Sequence, residues 1–134
     1  MKQIIIQGVK CIGPNFSRAE FSLIKRNLAQ QEGLDTLADS LGAAANLQRL
    51  KILYLLSAHK EMCVCDLAEV LELSDSGVSQ HLSKLRDRNI VKSRRMNQTM
   101  FYSLVQNVFT SHLVDILALN ETKQKHAFVL DGRS

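Results

Sequence analysis

Two cysteines separated by one residue, Cys63-Val64-Cys65, are the feature of this sequence most capable of chemistry. Thiolate sulfur is a soft ligand and selects Cd(II), Pb(II), Hg(II), As(III), Cu(I) or Zn(II) over hard ions. A free cysteine also serves as a small buried hydrophobe, but helical geometry weighs against that role here. Val64, Leu67, Ala68 and Leu71 would form the core face of a helix starting near Val64. Each helical residue advances by about 100°, so Cys63 and Cys65 fall to either side of that face. Sulfurs two residues apart on a regular helix diverge, and both reach one ion only if the first turn distorts, a need that is itself a candidate switch. The remaining cysteine is Cys11, and an odd total of three argues against a disulfide framework.

A second chemistry lies in the charge. Between Gln80 and Arg95 stand Lys84, Arg86, Arg88, Lys92, Arg94 and Arg95 against the single acid Asp87, so this window carries +5 of a total of +4. The rest of the chain is nearly neutral, and a local basic patch on such a body fits a nucleic-acid footprint.

The surrounding elements follow from periodicity and capping residues. Residues 1–15 read as an N-terminal arm carrying Cys11 and ending at Gly13-Pro14-Asn15. A helix capped by Ser17 is predicted to run to about Gln31, with Phe21, Ile24 and Leu28 on one face. Further helices are predicted over 35–44 and, capped by Asn46, to about His59. A short helix from Val64 is followed by one capped by Ser74 and running to about Arg88, with Val78, Leu82 and Leu85 as its buried stripe. Its other face shows Ser76, Ser79, Gln80 and Lys84, which makes the pair a helix-turn-helix. Gln80 can offer a bidentate amide to adenine, and small residues at Ser76, Gly77 and Ser79 allow close approach to a groove. Ile90 to Arg95 and Thr99 to Leu104 read as two strands around Met96-Asn97-Gln98, a hairpin wing with Arg94 and Arg95 near its tip, placed to touch phosphate. A last helix is predicted over 108–119, and 121–134 form a tail. The fold class is mainly α with a β-hairpin wing, a winged helix-turn-helix, with one domain over 16–120 for DNA binding and dimerisation.

From Asn46 to Leu104 the sequence resembles the ArsR/SmtB repressors. The resemblance rests on Arg49-Leu-Lys-Ile-Leu53, Cys63-Val-Cys-Asp-Leu-Ala68, Ser74-Asp-Ser-Gly-Val-Ser-Gln-His-Leu82 and Phe101-Tyr-Ser-Leu104. Asn46-Leu47 stands where the family usually has Asp-Pro. The resemblance implies a homodimer that pairs through its first and last helices, holds double-stranded operator DNA and releases it on binding an inducer; the cytoplasm, where thiols stay reduced, is the expected location because the start of the sequence does not read as a secretory signal. It assigns base reading to Ser76, Ser79 and Gln80, with Asp75 beside them. A two-fold dimer is also expected on physical grounds, since one module reads only a few base pairs.

The Cys-Val-Cys motif occurs in the arsenic sensors and the CadC-type members of the family. In the CadC type, arm cysteines of one protomer join the pair of the other. Cys11 matches that role, which implies a three-sulfur site of Cys11, Cys63 and Cys65 for Cd(II), Pb(II), Hg(II) or As(III), with Zn(II) or Cu(I) also open. This chain has one arm cysteine rather than two, and Ala68 where some arsenic sensors carry a third cysteine. A second zinc site known in many relatives would fall on Gln106, Val108, Leu119 and Thr122, poor ligands, and is expected to be absent. His112 is expected at an interface and His81 at the helix-turn-helix surface, while His59 and His126 lack ligand spacing. A persulfide or oxidant sensor using the same thiols is the alternative signal. A thiol enzyme is disfavoured because neither cysteine has a convincing base nearby. No apolar run is long enough to span a bilayer and no secretory signal is evident, so no membrane partner is expected.

Overall fold

The computed structural model describes residues 2–118. The predicted tail and the end of the last helix at Leu119, together with Thr122 and His126, lie outside the described residues. The chain divides into two units, Met1–Leu34 and Asp35–Ser134. Among the described residues no helix is long and apolar enough to cross a membrane.

In the first unit the segment expected as an arm is a β-hairpin. Strands β1 (Lys2–Ile6) and β2 (Val9–Gly13) pair antiparallel, with Cys11 in register opposite Ile4. The loop is Gln7-Gly8, with φ of 52° and 79°. Two successive positive φ values suit the right-handed twist of a two-residue hairpin, and glycine adopts one of them without strain. Helix α1 (Arg18–Ala29) follows, opened by a capping box in which the Glu20 amide donates to Ser17 Oγ and the Ser17 amide to Glu20 Oε2, both at 3.1 Å. No residue of α1 is buried.

The second unit holds the core. Helices α2 (Leu34–Ala44) and α3 (Leu47–His59) come first, and Asn46 Oδ1 accepts from the Arg49 amide at 3.1 Å to cap α3. Ile52, Leu53 and Leu56 of α3 are buried, which makes α3 the central helix of this unit. After His59 the chain turns sharply. Lys60 has φ 57° and ψ −52°, and the Glu61 amide donates to the His59 carbonyl. That three-residue turn is a strained conformation for a residue with a side chain.

The turn delivers the chain into a two-residue strand that sequence periodicity does not reveal, β3 (Met62–Cys63). It joins β4 (Val91–Met96) and β5 (Thr99–Leu104) in a sheet of order β3-β5-β4. Helices α4 (Val64–Leu71) and α5 (Asp75–Asp87) lie between β3 and β4 in the chain. A final helix, α6, occupies 108–118. Its start is fixed by Asn107 and Thr110, whose side chains each accept the other's amide at 2.9 and 3.0 Å. Leu67 and Ala68 of α4, Val78, Leu82 and Leu85 of α5, and Ile90, Val91 and Leu104 close the core around α3. Each large aliphatic residue fully buried there contributes about 1.5–3 kcal/mol.

Candidate nucleic-acid interface and thiol site

Helices α4 and α5 are joined by Glu72-Leu73-Ser74. Glu72 adopts a left-handed conformation and its amide donates to the Ala68 carbonyl, which ends α4. Ser74 Oγ then accepts from the Gly77 amide at 3.1 Å and starts α5. A Cβ built at Gly77 would stand 3.1 Å from that same Oγ. The absence of a side chain at Gly77 therefore serves the cap, beside any role in close approach to a groove.

With Val78, Leu82 and Leu85 turned into the core, Asp75, Ser76, Ser79, Gln80 and Lys84 are all exposed along the free surface of α5. This set can offer hydroxyls, an amide and a cation to a groove. His81, expected at the surface, is half-buried instead. Its Nδ1 lies 3.4 Å from Arg49 Nη1 of α3. Burial, then the charges of Arg49 and Lys84, hold its pKa below the usual value, so the neutral ring accepts from the guanidinium.

The hairpin β4–β5 turns at Asn97-Gln98, with Asn97 at φ 58°. Arg94 and Arg95 are exposed on β4. Arg95 Nε donates to the Asn97 carbonyl at 3.0 Å. Arg94 is engaged differently: its Nε and Nη2 donate to the two carboxylate oxygens of Glu61, each at 2.6 Å. The guanidinium also lies over the Phe101 ring, 5.5 Å from its centroid. The hydrogen bonds from Arg94 hold the Glu61 carboxyl below its ordinary range. Sequence reasoning missed Glu61, because nothing local indicates a partner 33 residues away.

Cys63 is the last residue of β3 and also the N-cap of α4, with extended backbone angles of φ −88° and ψ 166°. The expectation of two cysteines on one helix is thus corrected: only Cys65 is helical. Cys63 is half-buried, Cys65 is exposed, and both are free thiols. In register Cys63 stands opposite Phe101, and Phe101 opposite Arg94. Directly opposed residues share a face of a sheet, so Cys63, Phe101 and Arg94 form one row across its three strands. Cys11 belongs to the first unit, on β2 in register opposite Ile4. Among the described residues, no group of three or more His, Cys, Asp or Glu is arranged to hold a metal ion. Gln106 lines a cleft of about 510 Å³ with Lys60, Lys92, Thr110 and Asp115, and His112 is exposed on α6.

Comparison with known proteins bears on this arrangement. Residues 47–93 match the model of the bacterial regulatory protein, arsR family. The chain is 39% identical over 80 residues to a cadmium resistance transcriptional regulatory protein CadC homolog of Staphylococcus aureus, covering 60% of this chain and 65% of that one. It is 41% identical over 71 residues to a transcriptional repressor SmtB homolog of Synechocystis, covering 53% of each. The chain therefore spans between about half and two thirds of the length of these curated relatives. Among solved structures, HlyU from Vibrio cholerae superposes with a TM-score of 0.60 at 35% identity, covering 66% of this chain and 94% of that one. The winged helix-turn-helix, its matched segment and its similarity to HlyU across nearly all of that protein show that the chain belongs to the arsR family of bacterial regulatory proteins.

Proposed function

We propose that this protein is a cytoplasmic, homodimeric transcriptional repressor that holds double-stranded operator DNA and releases it when cysteine sulfur captures a soft metal ion. The observation that carries this reading is the double membership of Cys63. It ends the strand bonded to the wing and caps the first helix of the helix-turn-helix. A change in bonding at that one residue acts on both parts of the DNA-reading unit.

In this reading Ser76, Ser79 and Gln80, with Asp75 beside them, meet base edges in the major groove. Lys84, Arg94 and Arg95 meet phosphates, which fix the register of the protein on the duplex. The exposed apolar residues Leu23, Ile24 and Leu28 of α1 and Val108 and Ile116 of α6 support pairing with a second copy. Two copies on a two-fold axis would read two half-sites.

Cys63 and Cys65 suit a soft ion by the chemistry of their donor atoms, and Cys11 of the partner protomer would add a third sulfur. Cd(II), Pb(II), Hg(II) and As(III) fit such a set, and Zn(II) and Cu(I) are further candidates. A bound ion supplies strong bonds to sulfur and no catalysis. In this reading an ion held by both Cys63 and Cys65 bonds on either side of the junction of β3 and α4 and acts on it. A relative named for cadmium resistance supports a metal as the signal.

Titration of reduced protein with Cd(II), followed by sulfur-to-metal absorption, tests the site. Replacement of Cys63 or Cys65 by Ser should remove the absorption and keep DNA binding. Undiminished absorption in the doubly substituted protein would contradict the assignment. A second reading, favoured by the exposure of Cys65 next to Cys63, keeps the DNA binding and makes the signal a persulfide or an oxidant. Release by such a reagent, but not by metal added to reduced protein, would select it.

A further inference from the structure

The two wing arginines differ in what they hold. Arg95 donates to a neutral backbone carbonyl, whereas Arg94 grips a full anion. Both oxygens of the Glu61 carboxylate are taken at 2.6 Å by two nitrogens of the Arg94 fork. A guanidinium takes a DNA phosphate with this same two-pronged geometry. The Phe101 ring backs the guanidinium and limits its freedom. The pair is not sealed: the Arg94 side chain is 51% exposed and that of Glu61 29%. Approaching nucleic acid can reach it.

We propose that Glu61 is an internal substitute for a DNA phosphate, occupying the Arg94 guanidinium in the free protein so that a backbone phosphate must displace it for the wing to engage. The proposal rests on the reading of the wing as a DNA contact. Exchange of one anion for another leaves Arg94 with a smaller net contribution to affinity than a free arginine would make. The displaced carboxylate also remains beside the duplex and is repelled by it. Glu61 lies two residues before Cys63, so the competitor is carried by the segment that bears a candidate inducer thiol.

Salt-series binding of the full-length protein to duplex DNA of arbitrary sequence tests the exchange, using wild type, E61Q, R94Q and the double variant. Glutamine keeps the size of glutamate and removes its charge. E61Q should bind severalfold tighter at low salt, and the gain should shrink as salt rises, because the charge it removes is increasingly screened. In the R94Q background the same Glu61 change should give a clearly smaller gain, the part due to repulsion alone. An equal gain with Arg94 already removed would overturn the proposal, since Glu61 would then act only as general negative charge. So would unchanged or weaker binding by E61Q in a protein whose wild type binds. Failure of every variant, wild type included, to bind any duplex would bring down the DNA reading and this proposal together. Thermal unfolding should be nearly the same in all four proteins, because exposed ion pairs contribute little to stability.

Discussion

Helices α1 and α5 are nearly equal in length, 12 and 13 residues, and both begin at a serine cap. Yet α5 buries Val78, Leu82 and Leu85, while α1 buries nothing. Leu23, Ile24 and Leu28 of α1 are each about half exposed. A helix that packs within its own unit is fixed by the chain alone. One whose apolar stripe lies open is shaped for a surface outside that unit. The contrast separates the reading head, which carries its own core, from the elements proposed to join two copies.

The largest effect should come from the buried side of this contrast. Leu82→Ala removes a fully buried side chain and should cost about 2–5 kcal/mol, read as a lowered unfolding midpoint. Leu28→Ala should cost far less in the isolated chain, and equal losses would erase the distinction. Next, Leu23→Glu with Leu28→Glu should leave a folded protein that elutes as a monomer. Its operator affinity should fall by about 10²-fold, as linked binding is lost. A dimer that survives both charges would move the interface elsewhere. On α5 itself, Gln80→Ala should cost about 1–3 kcal/mol of operator affinity and leave stability unchanged, as measured by anisotropy on operator and scrambled duplexes.

The smallest effect concerns pH. His81 is held below its ordinary value of 6.5 by burial, then by Arg49 and Lys84. The unfolded chain therefore takes up the proton more readily than the folded one. Stability present above pH 6.5 should decline as pH falls from there through the folded value. His81→Gln should flatten that decline in acid-unfolding profiles, and an unaltered profile would assign the pH dependence to other groups.

The reading head was legible in the sequence because its signals are local. The Val78, Leu82, Leu85 spacing, the caps Asn46 and Ser74, and the two strands of the wing are each settled within a few residues. What stayed hidden depends on distant register. β3 exists only because Cys63 finds Phe101, and no periodicity marks a strand of two residues. The same holds for Glu61 with Arg94. Cys63 and Cys65 were legible as candidate ligands, but treating both as helical obscured the strand-to-helix junction that gives Cys63 its leverage. The N-terminal hairpin was missed because Gln7-Gly8 is a weaker turn signal than Asn-Gly.

Operator affinity of the reduced wild-type protein, measured with and without stoichiometric Cd(II) at fixed salt, tests the link between sulfur and DNA most directly. The expected result is a weakening of about 5–150-fold, the range of ordinary allosteric coupling. Equal affinity in the two conditions, with the thiols demonstrably ligated, would contradict it.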